Sequence, residues 1–299
     1  MRTQTTAPTV WDAFAQTSQA LEQVGVTDVS IEAEVLVRLA ARMNRSQYFA
    51  NLREPLTEDQ SRALDGFVRR RVASEPLAYI AGEREFYGLS IRVDSRVLIP
   101  RQETELLVDL ALEFLDTKRS MVERRDGSQA STVVADICTG SGAVAVAIAA
   151  NAPNVRVMAT DLSADAVEVA AANVAKHSLG DQVKLSTGDL FDAVPGAVDV
   201  VVSNPPYVPS DMWDGLPNEV KMEPRQALIG GEDGLDVWNR LLKQGVDRLS
   251  PGGAMFVELM PDQIDGAVVT ARELYDDASI GSIRDFSGDS RILTIHRRG

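Results

Sequence analysis

Asn204-Pro205-Pro206-Tyr207 follows directly on the apolar run Val200-Val201-Val202 and Ser203. Pro205 and Pro206 fix the backbone and remove two N–H donors. What faces inward at such a strand end is oxygen: backbone carbonyls and the side-chain oxygen of Asn204. Grouped acceptors suit a planar –NH2 group, whose two hydrogens each need a partner. Tyr207 adds a ring against which a flat amide or base can pack. An amide or aromatic-amine nitrogen is a weak nucleophile because its lone pair is delocalised. Holding both N–H bonds on fixed acceptors aims the nitrogen and stabilises the positive charge that develops on it. A sulfonium methyl is a strong enough electrophile to need no metal and no covalent intermediate.

A second constellation is Asp136-Ile137-Cys138-Thr139-Gly140-Ser141-Gly142-Ala143, between a predicted strand and a predicted helix. Gly140 and Gly142 allow a sharp turn and close approach of a ligand, and the helix start offers free N–H groups. Asp161 ends the next predicted strand, nineteen residues past Gly142. A carboxylate there can accept hydrogen bonds from both ribose hydroxyls of a nucleoside cofactor. The pattern Gly140-x-Gly142-x-x-Ala145 also fits a loose dinucleotide fingerprint. Against a hydride-transfer enzyme, neither His177 nor His296 lies at the carboxyl end of a strand. No tyrosine has a lysine four residues later, and the third glycine is missing.

The elements that must position these residues alternate from residue 132 onward. Strands are predicted at 133–137, 155–160, 183–185, 198–203 and 254–258, with helices at 143–150, 164–176, 235–249 and 262–275 among them. This alternation implies a mostly parallel sheet with helices on both faces. Strands at 280–286 and 291–296 predict a terminal antiparallel hairpin. Upstream, residues 8–75 read as helices, one capped by Thr57 with Gln60 in the capping-box position. A hairpin is expected around Gly88, then a helix capped by Thr104 and carrying Leu106, Leu107, Leu110 and Phe114. The polar stretch 117–131 is expected as a surface loop. Arg69-Arg70-Arg71 reads as a solvated helix face or a linker contact. The implied division is a helical domain over 1–76, a hairpin linker over 77–103 and an α/β domain over 104–299.

The bulk numbers limit the function classes. Forty-four per cent of the 299 residues are hydrophobic and 25% are charged, ordinary for a globular protein. No apolar run approaches the ~20 residues of a membrane span, and Met1 to Thr5 hold no apolar leader core. One cysteine excludes an internal disulfide and suggests a reducing, cytoplasmic setting. Two histidines argue against a histidine-based metal site or triad. The net charge is −14, and residues 1–75 are almost balanced with nine basic and ten acidic side chains. The acidic excess therefore falls on the α/β part, which argues mildly against a phosphate-backbone partner and suits a basic protein partner better.

In these motifs the chain resembles the S-adenosylmethionine-dependent methyltransferases. More narrowly it resembles the protein-glutamine N5 methyltransferases that modify peptide chain release factors, the HemK/PrmC family. Besides the two constellations, the resemblance rests on Pro76-Leu77-Ala78-Tyr79-Ile80-Ala81-Gly82, Val97-Leu98-Ile99-Pro100-Arg101-Gln102-Glu103-Thr104-Glu105, Glu223-Pro224-Arg225-Gln226-Ala227-Leu228 and Gly231-Glu232-Asp233-Gly234-Leu235. It implies a Rossmann-like methyltransferase domain behind a small helical bundle that helps dock the release factor, in a monomer. The implied reaction methylates the glutamine amide of a Gly-Gly-Gln motif, leaving S-adenosylhomocysteine. Asn204 and the Pro205 carbonyl would bind that amide, with Pro206 beside them and Tyr207 packed on it. Cys138, Thr139, Gly140, Ser141, Gly142, Asp161, Leu162, Asp189, Leu190 and Asn204 would meet the cofactor, Leu190 near the adenine. Two residues depart from the family pattern: Cys138 and Met260 stand where glycine is usual. Asn-Pro-Pro-Tyr is shared with methylases of adenine and guanine amino groups, so a nucleic-acid substrate is the alternative. A noncatalytic binder that has kept the fold is a third.

Overall fold

The computed structural model describes residues 7–125 and 132–299. The N-terminal residues read above for a leader, and residues 126–131 of the expected loop, lie outside them. The chain forms two compact units, one containing the chain up to Gly82 together with Asn218–Met222, the other Glu83–Pro217 and Glu223–Gly299.

The first unit is helical: α1 (Val10–Glu22), α2 (Val29–Ala41), α3 (Arg45–Ala50), α4 (Glu58–Val72) and α5 (Leu77–Ala81). Side chains at Thr9, Asn44 and Thr57 start α1, α3 and α4 through reciprocal capping boxes with Asp12, Gln47 and Gln60. These bonds satisfy N–H groups that a helix start leaves unpaired. Val10, Leu21, Leu36, Val37, Leu64 and Ile80 form its core. Arg71 is no part of a solvated face. It is buried, donating from Nε to Glu32 at 2.5 Å and from Nη2 to Glu219 at 2.8 Å. Two carboxylates compensate the charge that burial would otherwise penalise. Arg70 pairs with Glu75, so the arginine triplet is largely consumed internally.

The second unit opens with a hairpin of β1 (Glu83–Phe86) and β2 (Leu89–Arg92). Tyr87 and Gly88 both take positive φ, 52° and 72°, the left-handed pair that a two-residue hairpin turn requires. This hairpin is bound to its own unit: Asn173 Oδ1 accepts from Arg92 N at 2.7 Å and Asn173 Nδ2 donates to Arg92 O at 2.9 Å.

Helix α6 (Glu105–Arg125) follows. It runs through 117–125, where the polar composition suggested a loop. Polarity was a poor guide, because the stretch holds no glycine or proline and consists largely of tolerable helix formers. Lys118 also reaches Asp199, whose other oxygen accepts from Val133 N at 2.8 Å.

Then come β3 (Thr132–Ile137), α7 (Ala143–Asn151), β4 (Val155–Asp161), α8 (Ala164–Lys176), β5 (Val183–Thr187), β6 (Val198–Ser203), the short α9 (Arg225–Leu228), α10 (Asp236–Arg248), β7 (Leu249–Glu258), α11 (Pro261–Leu274), β8 (Ala278–Arg284) and β9 (Ser290–Arg297). The sheet order is β5-β4-β3-β6-β7-β9-β8. β3 to β7 pair in parallel, and β9 lies antiparallel between β7 and β8. The inner strands are buried on both faces, which is why Val200-Val201-Val202 reads as a continuous apolar run. The strand order reverses between β3 and β6. A crevice forms beyond the carboxyl ends at such a switch point.

Candidate active site

The two constellations meet at that crevice. Ile137 pairs with Ser203 at the end of the β3–β6 ladder, so Cys138 and Asn204 leave adjacent strands side by side. Ser203 Oγ donates to Ile137 O at 2.7 Å and ties the two strand ends together. Asp161 leaves β4 one strand further out, in register with Thr187.

A cavity of about 280 Å³ opens there. Cys138, Thr139, Gly140, Ser141, Asp161, Leu162, Asp189, Leu190, Asn204 and Pro206 all lie on its wall. Three expected contacts are not on that wall. Gly142, at φ 78°, turns toward α8, where an added β-carbon would stand 3.0 Å from the Ala170 Cβ. Pro205 is buried. Tyr207 donates from its hydroxyl to Glu258 Oε1 at 3.2 Å.

The loop is arranged around two carboxylates. Asp136 is buried and accepts from Thr139 Oγ1 at 2.6 Å and from Ala145 N at 3.1 Å, pinning the turn to the first turn of α7. Burial pushes its pKa up to about 7, against the opposing pull of those bonds. Asp161 accepts from Gly140 N at 2.8 Å on one oxygen and from Ser163 N at 2.9 Å on the other. Burial raises its pKa, and backbone bonds from Ser163 and Gly140 oppose the rise. Each oxygen keeps lone-pair capacity, so a vicinal diol can bind both. Gly140 has φ 54°, and an added β-carbon would meet no protein atom within 4 Å. The far end of the cavity holds Asp189, paired with Arg240, and the buried Leu190. Diol acceptors, an open glycine turn and the apolar surface of Leu162 and Leu190 fit a nucleoside-bearing donor.

Cys138 has φ 62°. This left-handed conformation is costly for a residue with a β-carbon, and gives a backbone reason for glycine at this place. Its thiol is pushed well up, first by burial and then by the charge of Asp161, which makes it a poor nucleophile.

Around Asn204 lies a chain of hydrogen bonds that sequence reading did not assemble. Asn204 Nδ2 donates to Thr104 Oγ1 at 3.1 Å, and Thr104 Oγ1 donates to Glu258 Oε2 at 2.8 Å. Thr104, expected to cap α6, is instead held by these partners. Burial raises the Glu258 pKa, while bonds from Thr104 and Tyr207 and the charge of Arg291 oppose the rise. Behind the wall, the buried Glu223 accepts from Ile99 N at 2.8 Å and from Arg101 Nη2. It thereby fastens the Ile99-Pro100-Arg101 turn. Gln263 Nε2 donates to Tyr207 O at 2.8 Å and Asp233 O at 3.0 Å, joining the Asn-Pro-Pro-Tyr turn to the Gly231–Leu235 segment.

Residues 115–214 match the Methyltransferase small domain family. A methyltransferase from Pyrococcus furiosus shares the fold at 22% identity and a TM-score of 0.50, over 77% of this chain and 98% of that one. The hMettl16 catalytic domain does so at 15% identity and a TM-score of 0.54, over 78% and 81%. Residues 12–82 match the PrmC N-terminal domain. The release factor glutamine methyltransferase of Rhodopirellula baltica is 37% identical across 97% of this chain and 96% of its own, and that of Moorella thermoacetica 36% across 97% and 99%. The chain belongs to the release factor glutamine methyltransferase family, and it is an enzyme.

Among the described residues, no helix is long and apolar enough to cross a membrane.

Proposed function

We propose that this enzyme transfers a methyl group from S-adenosylmethionine to the side-chain amide nitrogen of a glutamine in a peptide chain release factor, within its Gly-Gly-Gln motif. The observation that carries the reading is Asn204 on the wall of the glycine-loop cavity, its nitrogen engaged by Thr104. With the nitrogen so bound, the side-chain oxygen is the end left for a substrate N–H.

The donor, when bound, supplies an electrophilic sulfonium methyl. Asp161 would hold its ribose hydroxyls, Gly140 would admit its backbone-proximal end, and Leu162, Asp189 and Leu190 would enclose its base. Asn204 Oδ1, on the wall, and the Pro205 carbonyl, whose peptide leads into the wall residue Pro206, would accept the two amide hydrogens and fix the plane of the attacking group. Fixing that plane removes rotational freedom before reaction. The two acceptors also stabilise charge that grows on nitrogen as the N–C bond forms. As the N–C bond forms the methyl's bond to sulfur would break, leaving S-adenosylhomocysteine, and the amide nitrogen would give up one proton to water on becoming the N-methyl amide. Tyr207, tied to Glu258, would flank the amide.

The helical unit would dock the release factor. The acidic balance supports a protein substrate over a phosphate backbone, in a monomer working in the cytoplasm beside the translation machinery. Incubation with labelled methyl donor tests the reading against release factor, a factor with Gln→Ala in the Gly-Gly-Gln motif, RNA and DNA. Label on the unaltered factor alone is expected. Label on nucleic acid, or on the Gln→Ala factor to the same extent, overturns it.

A further inference from the structure

We propose that Thr104 and Glu258 are positioning residues that set which end of the Asn204 amide faces the substrate. An asparagine side chain is nearly symmetric in shape, and rotation by half a turn exchanges an acceptor for two donors. Presenting NH2 to a substrate NH2 would set donor against donor. Something must therefore break the symmetry, and the hydrogen-bond chain does so by direction.

Glu258 lies at the end of β7 and is buried. Both of its oxygens are reached by hydroxyl donors, Oε2 by Thr104 and Oε1 by Tyr207. Thr104 spends its single proton on Glu258. Toward Asn204 it has only lone pairs, so it must accept, and Nδ2 is the end it binds. The acceptor character of Glu258 is thus handed through one hydroxyl to the cavity, where it appears as Oδ1 of Asn204. Arg291, Arg101 and Glu103 are the other charged groups felt at this cluster. The inference rests on the reading that Asn204 accepts from the substrate amide, and it adds what holds Asn204 in that pose.

The test uses the full-length enzyme and release factor. Thr104→Val keeps shape and removes the relay. Its kcat is expected to fall by about 10- to 100-fold, as for misplaced catalytic groups, with donor affinity by calorimetry and KM for the factor within about threefold. Thr104→Ser, which restores the hydroxyl, is expected to recover most of the rate. Glu258→Leu removes the terminal acceptor. The double variant Thr104→Val/Glu258→Leu is expected to be no slower than the slower single variant, because both act through one chain. Normal kcat in Thr104→Val, or additive losses in the double variant, overturns the proposal. Donor affinity reports folding for each protein, and if Glu258→Leu binds no donor, the Val–Ser pair at 104 decides alone. Asn204→Ala run alongside separates the two levels. If it turns over normally, the role of Asn204 itself has failed. If it is inactive while Thr104→Val is normal, only the relay has failed.

Discussion

Asn204 Nδ2 and Thr104 Oγ1 stand 3.1 Å apart across a sequence separation of 100 residues. The bond joins the loop after β6 to the start of α6. It turns a strand-end asparagine into a group with a defined face. The nucleoside end and the amide end of the cavity are built by different means. Backbone N–H groups shape the Asp161 end, whereas the side chains of Thr104, on the wall, and of Glu258, buried behind it, shape the Asn204 end.

Replacing Asp161 with alanine should act on donor binding. Hydrogen bonds to a charged acceptor are lost, a net of about 1.5–3 kcal/mol. We expect S-adenosylmethionine affinity, read by calorimetry, to weaken by about 10- to 100-fold, with saturating kcat reduced far less. Unchanged affinity would remove Asp161 from the site.

Asp136 should leave a signature in stability against pH. Its pKa is raised from 3.8 to about 7 in the folded state, so between those values the folded protein binds more protons than the unfolded one. The stability it contributes is full below pH 4 and is lost as pH climbs toward 7. Asp136→Asn cannot titrate and should lack this loss. Relative to the native protein it should gain by up to ~4 kcal/mol between pH 4 and pH 8, measured by urea unfolding. A difference that is flat with pH contradicts the assignment.

Cys138 offers a backbone test. Alanine keeps the β-carbon at φ 62° and glycine removes it. Cys138→Gly should be about 1 kcal/mol more stable than Cys138→Ala. Urea midpoints that order the two variants the other way would show that the left-handed conformation is not strained.

Much of this architecture is legible in the residues, and the exceptions are instructive. The glycine loop, Asp161 and Asn204 stand at predicted strand ends, and a parallel sheet must gather such ends on one edge. Local periodicity therefore sufficed to bring them together. Thr104 and Glu258 were illegible because their partner lies 154 residues away and a threonine before a helix reads first as a cap. The one available signal was a glutamate inside the apolar stretch Ala254-Met255-Phe256-Val257-Glu258-Leu259, since a buried carboxylate demands donors. Arg71 hid in the same way, its carboxylate Glu219 lying 148 residues away. Gly142 matched the fingerprint yet serves close packing on Ala170, a distinction that spacing cannot make.

Single-turnover methyl transfer by Asn204→Ala tests the central claim most directly, with release factor and donor both saturating. The chemical step is expected to slow by at least ~100-fold, the loss typical of removing one preorganised polar group at a reacting centre, while donor affinity stays within about threefold. A rate within a few-fold of the native enzyme would contradict that claim.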